Sequence, residues 1–71
     1  MDYMYMIGKN LRRIRKSQNI SLLTVSTDLQ MGQHNLGNIE RGIGNPEVKT
    51  LARLVDYYHV HMKDLFDESG F

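Results

Sequence analysis

No cysteine occurs in the 71 residues, which excludes a disulfide framework and a thiolate metal site and permits a reducing compartment. Apolar runs never exceed a few residues, far short of the roughly 20 needed to cross a bilayer. The opening MDYMYMIGK places acid before base and lacks a secretory pattern, so the expectation is a soluble cytoplasmic protein with no membrane association. No segment alternates apolar and polar residues convincingly enough for a strand, and there is no internal repeat, low-complexity tract or flexible linker. A chain this short sits near the lower limit for folding on one apolar core without staples. Helix packing must therefore supply the stability, with or without a partner subunit.

What is present is unevenly distributed. The net charge of +1 conceals a basic first part, with six Lys or Arg against three Asp or Glu in residues 1–45, and an acidic remainder, with three against five in residues 46–71. The basic part is the candidate for contact with an anionic partner.

Ile7, Leu11 and Ile14 recur at helical spacing, with Lys9, Arg12, Arg13 and Lys16 mostly outside that stripe, which predicts an amphipathic helix over about 5–18. Asn19 suits a left-handed cap, and Ser21 suits the N-cap of a second helix over residues 22–29. Thr24, Val25 and Thr27 make that helix intrinsically weak, so packing must hold it. The stretch 31–42, MGQHNLGNIERG, has a loop-like composition, yet Leu36 and Ile39 are three apart and form a buried pair on one side of a helix. Gln33, His34, Gly37, Asn38 and Arg41 then share the opposite side, and Gly42 ends the helix at about residue 41. After the turn Ile43-Gly-Asn-Pro46, the positions of Val48, Leu51, Leu54, Val55 and Tyr58 predict a fourth helix to about Tyr58. A short fifth helix over about 62–66 closes an all-α single domain, with Tyr58, Val60, Leu65 and Phe66 expected in the core. The N-terminal Tyr3–Met6 segment reads as a tail or as cover for a seam.

The residues IGKNLRRIRKSQNIS, followed by NIERGIGNP, TLARLV and HMKDLF, resemble the small helix-turn-helix DNA-binding domains of lambda-type repressors and Cro, the Xre family. This family includes short stand-alone bacterial regulators and restriction–modification controller proteins. The resemblance covers about residues 6–66 and implies a compact five-helix domain whose third helix, about 33–41, enters the major groove of double-stranded DNA. It implies base reading by Gln33, His34 and Asn38, backbone or base-edge contacts by Asn35 and Arg41, and phosphate contacts from Lys9 and Arg12 of the basic first helix, with Arg13 a further candidate. Amide side chains suit the first role, since Gln and Asn pair bidentately with adenine. Gly37 would let the backbone approach DNA. The resemblance also implies a structural ion pair between Arg15 and Glu40, and homodimers formed through the last two helices, for which Tyr57, Met62 and Phe71 are the candidates.

Three positions depart from the family pattern. Leu22 replaces a Gln that touches phosphate and braces the base-reading Gln, Ser26 replaces a small Ala where the two helices meet, and Gln30 stands where the turn often has Gly. Gln30 is strained if its φ is positive. The bland readings are a solvated face for the first-helix charges and ordinary surface polarity for Gln33, His34 and Asn38. His59 and His61 flank one residue and lack a third ligand, so no metal is expected. The Ser and Thr residues form no nucleophile–base set, so neither catalysis nor a cofactor is expected. The resulting expectation is a bacterial, phage or plasmid-encoded transcriptional regulator with no small-molecule ligand, controlled by its own concentration and binding a roughly palindromic operator as a homodimer. The alternative is a protein-interaction module of the same fold, suggested by Leu22-Leu23 where polar residues are usual.

Overall fold

Asp2 sets where the chain begins to coil, since its carboxylate accepts a hydrogen bond from the Tyr5 N–H at 3.1 Å and caps α1, Tyr3–Ser17. The helix thus starts two residues earlier than predicted, and the Tyr3–Met6 segment, expected as a tail or as cover for a seam, is its first turn. Met6 is fully buried there. Three further helices follow, α2 (Leu22–Asp28), α3 (Gln33–Glu40) and α4 (Val48–Tyr58), then a 3-10 helix, Met62–Phe66. The computed structural model describes residues 2–69 and contains no strand among them.

All four α-helices stop in the same way. A residue in the left-handed region, Asn19, Gln30, Gly42 or His59, follows each one, and the next N–H reaches back to a carbonyl five residues earlier, as from Ile43 to Asn38 at 3.0 Å and from Met31 to Ser26 at 2.8 Å. Only Gly42 adopts this conformation without steric strain. Gln30, exposed and at φ 55°, carries that strain without a side-chain hydrogen bond among the described residues. Gln30→Gly is expected to raise stability by about 0.5–1 kcal/mol, part of the relief being offset by the freedom of glycine in the unfolded chain. The urea midpoint should rise; an unchanged or lower midpoint would show that the turn carries no such strain.

Ile7, Leu11 and Ile14 of α1, Val25 of α2, Leu36 and Ile39 of α3, and Leu51, Leu54, Val55 and Tyr58 of α4 meet in one core that Leu65 closes. Val60 packs on that core half-buried, but Phe66 is 43% exposed, which corrects its expected place inside. A 3-10 helix repeats every three residues, so Met62 and Leu65 share the inward face and Phe66 turns away. Burial pushes the Tyr58 phenol far above its ordinary range, the nearby Glu40 carboxylate adds to the shift, and the ring stays neutral.

The C-terminal segment is strapped to α1 by a residue that the sequence reading passed over. Asn10, 3% exposed, donates from Nδ2 to the carbonyls of Leu65 at 2.8 Å and Asp67 at 2.9 Å, and accepts from Arg13 at 3.2 Å.

Candidate nucleic-acid interface

Short helices cannot hold a surface in place by themselves, so the position of α3 depends on what fastens it. Leu36 and Ile39 anchor its inner side in the core. At its C-terminal end the Arg15 guanidinium meets Glu40 in a fork, Nε to Oε2 at 2.8 Å and Nη2 to Oε1 at 3.0 Å, while Nη1 donates to the Ile20 carbonyl at 2.9 Å. Both side chains are nearly buried, at 11% and 5% exposure. The hydrogen bond to Glu40 holds the Arg15 pKa above its ordinary value. One side chain thus ties together α1, the α1–α2 connection and α3.

The α2–α3 unit is built by local chemistry. Ser21 Oγ caps α2 by accepting from the Thr24 N–H at 3.0 Å. Ser26 is buried and small enough for the close meeting of the two helices, its hydroxyl satisfied by the Leu23 carbonyl at 2.9 Å. From α4, Arg53 donates to the Leu29 carbonyl and Tyr57 donates its hydroxyl to Asp28 at 2.6 Å, an acceptor that raises the Tyr57 pKa. These two side chains, one helical turn apart, brace the turn between α2 and α3. Neither role follows from local spacing, because the partners lie 24 and 29 residues away.

The outward side of α3 presents Gln33, His34, Asn35 and Arg41, all exposed, and Asn38, half-buried. Arg41 donates to Asn38 Oδ1 at 2.5 Å. The only carboxylate on α3 is Glu40, held by Arg15 on the other side, so the exposed surface of this helix is amide, imidazole and guanidinium. Gly37 is not open to solvent as its spacing suggested. It is buried, with Leu22 of α2 and the Arg41 guanidinium over it. Asn35 and Asn38 also line a cleft of about 210 Å³ against residues 43–47 and Thr50.

The basic side chains of α1 divide by their surroundings. Arg12 is exposed and makes no ion pair among the described residues. Lys9 is exposed with its ammonium 5.9 Å from the centre of the Tyr5 ring. Arg13 turns to Asn10 and to Asp67 at 3.9 Å, towards the C-terminal strap.

Of the residues expected to pair two subunits, Tyr57 is half-buried against α2 and Met62 half-buried against the core, and Phe71 lies outside the described residues. His61 precedes the 3-10 helix and its N–H donates to the Asp64 carboxylate at 2.8 Å. Among the described residues no group of His, Asp or Glu is arranged to hold a metal, and no helix is long and apolar enough to cross a membrane.

A helix-turn-helix family model matches residues 11–65. The uncharacterised HTH-type transcriptional regulator y4dJ of Sinorhizobium fredii is 31% identical over 74 aligned positions, spanning 100% of this chain and 96% of the relative. The DNA-binding domain of BldD from S. venezulae superimposes with a TM-score of 0.80 at 34% identity, covering 92% of this chain and 97% of that one. A second structure, a crystal structure of the BldD DNA-binding domain, also gives 0.80, at 35% identity over 89% of this chain and 92% of that one.

Proposed function

The chain belongs to the helix-turn-helix family of DNA-binding transcriptional regulators, which are not enzymes, and from that membership we propose that it binds a specific, roughly palindromic operator as a homodimer. In this reading α3 lies in the major groove, and the two half-sites are about 34 Å apart. Gln33, His34 and Asn38 meet base edges, while Lys9, Arg12 and Asn35 border the phosphates. The observation that carries the reading is the outer face of α3, free of exposed acid and fastened from behind by Leu36, Ile39 and the Arg15–Glu40 fork.

Binding to short duplexes measured across a salt series tests it. Affinity for DNA should fall steeply with salt, with a log–log slope set by the number of phosphates neutralised. Gln33→Ala should narrow the gap between operator and random DNA. Arg12→Ala should weaken binding to both alike and reduce the slope by about 1. No retardation of any DNA at low salt would remove the proposal. It would favour a protein-binding role for α2, where Leu23 stands 58% exposed.

A further inference from the structure

The contact between Arg41 and Asn38 fixes which atom of the Asn38 amide is engaged. A guanidinium carries donors only, so the atom of Asn38 facing Arg41 Nη2 at 2.5 Å is the carbonyl oxygen. The amide nitrogen is left over, and among the described residues it has no acceptor. Glycine at position 37 is what makes room for this arrangement. A Cβ there would stand 3.2 Å from Arg41 Nη1 and 3.8 Å from its Cζ, so the guanidinium lies close against the backbone of α3 and would have to give by a few tenths of an ångström. A methyl of Leu22 lies 3.6 Å from the same point, and it offers no acceptor to draw Arg41 from Asn38. Arg41 is itself held at the end of α3, because its N–H bonds to the Gly37 carbonyl at 3.0 Å and the Ile43 N–H closes the turn on the Asn38 carbonyl.

We propose that Gly37, Leu22 and Arg41 form a seat that fixes the Asn38 carboxamide as a donor, so that Asn38 selects guanine. A free Asn offers a donor and an acceptor together, the complement of adenine N6 and N7. Here the guanidinium already holds one lone pair of the carbonyl, and its remaining donors together with the Asn38 amide nitrogen outnumber the one lone pair left. Two neighbouring donors match guanine, whose N7 and O6 are both acceptors. The inference rests on α3 occupying the major groove and adds which base this end of the helix accepts.

Selection of binding sites from a randomised DNA duplex library, by wild type, Gly37→Ala and Arg41→Met, tests the seat. Alanine is the better helix former, and the atoms it meets most closely belong to the flexible Arg41 side chain, so Gly37→Ala should fold. The wild type should enrich guanine at one position in each half-site. Arg41→Met should lose that preference by about tenfold, with adenine gaining as Asn38 regains its full acceptor, whereas Gly37→Ala, which only nudges the guanidinium, should weaken it less, and the double variant should shift no further than Arg41→Met alone. Adenine at that position in the wild-type motif would overturn the seat, as would guanine retained undiminished in Arg41→Met, in each case leaving the DNA-binding reading intact. A wild-type protein that enriches no motif would overturn both.

Discussion

Gly8→Ala is expected to remove much of the stability of this protein, although alanine is the better helix residue by about 1 kcal/mol. A Cβ at position 8 would lie 2.3 Å from the Ile39 carbonyl oxygen, 2.7 Å from the Glu40 oxygen and 2.9 Å from the Glu40 carbonyl carbon. All three are backbone atoms of the last turn of α3, and none can step aside by changing rotamer. That turn is pinned as well, since Gly42, just beyond it, packs so closely on α1 that a Cβ there would be 2.8 Å from the Tyr5 Cα. The two helices therefore touch backbone to backbone at Gly8 and again at Gly42, and an added methyl must push them apart. Overpacking costs about 1–3 kcal/mol where neighbours can adjust; against fixed carbonyls the net loss should reach about 3 kcal/mol. A 71-residue domain has only about 4–10 kcal/mol in all. The melting temperature followed by helical circular dichroism should drop by about 15 °C. A Gly8→Ala protein as stable as the wild type would mean that α1 and α3 do not cross in this way.

The second large effect is expected at Arg15. Arg15→Ala leaves the Glu40 carboxylate nearly buried with no cation and leaves the Ile20 carbonyl without its donor. Stranding one charge of such a pair costs about 3–5 kcal/mol. Arg15→Lys should not restore the loss, because an ammonium is a single point and cannot serve both carboxylate oxygens and a carbonyl in one planar fork. The informative comparison is the double variant Arg15→Met with Glu40→Leu. With neither charge present nothing is stranded, so it should be more stable than either Arg15→Ala or Glu40→Ala. Denaturant unfolding of a closed cycle, Arg15→Met, Glu40→Leu and the two together, should yield a coupling between the two sites of about 2 kcal/mol or more. Additive losses would mean that the residues do not act as a pair.

Signals that act within one turn were readable in the sequence. Asn19 and Gly42 as left-handed caps, Ser21 as an N-cap, and Leu36 with Ile39 as the buried pair of α3 all stand in the structure as expected. Each depends on neighbours three to five residues away. The Asp2 cap is equally local, but it was masked by a first turn rich in Tyr and Met that shows no clear stripe. What local spacing could not reveal depends on distant chain. Asn10 finds its partners 55 and 57 residues on, and Arg53 reaches back 24 to the turn between α2 and α3. Gly8 gave no sign that a carbonyl would lie where its side chain is missing. The spacing of Gly37 points to an open backbone, whereas Leu22 and the Arg41 guanidinium lie over it. Of the candidate interface, residue spacing showed which side chains share the outer face of α3. It did not show that Arg41 would bond to one of them.

In the proposed complex the outer face of α3 lies in the major groove of two adjacent half-sites. Dimethyl sulfate footprinting on a duplex selected by the protein tests this most directly, because the reagent attacks guanine N7 in the major groove and adenine N3 in the minor groove. Guanine N7 should be protected in two clusters about one helical turn, roughly 34 Å, apart on the same face of the DNA. Unprotected guanines, or protection confined to adenine N3, would contradict it.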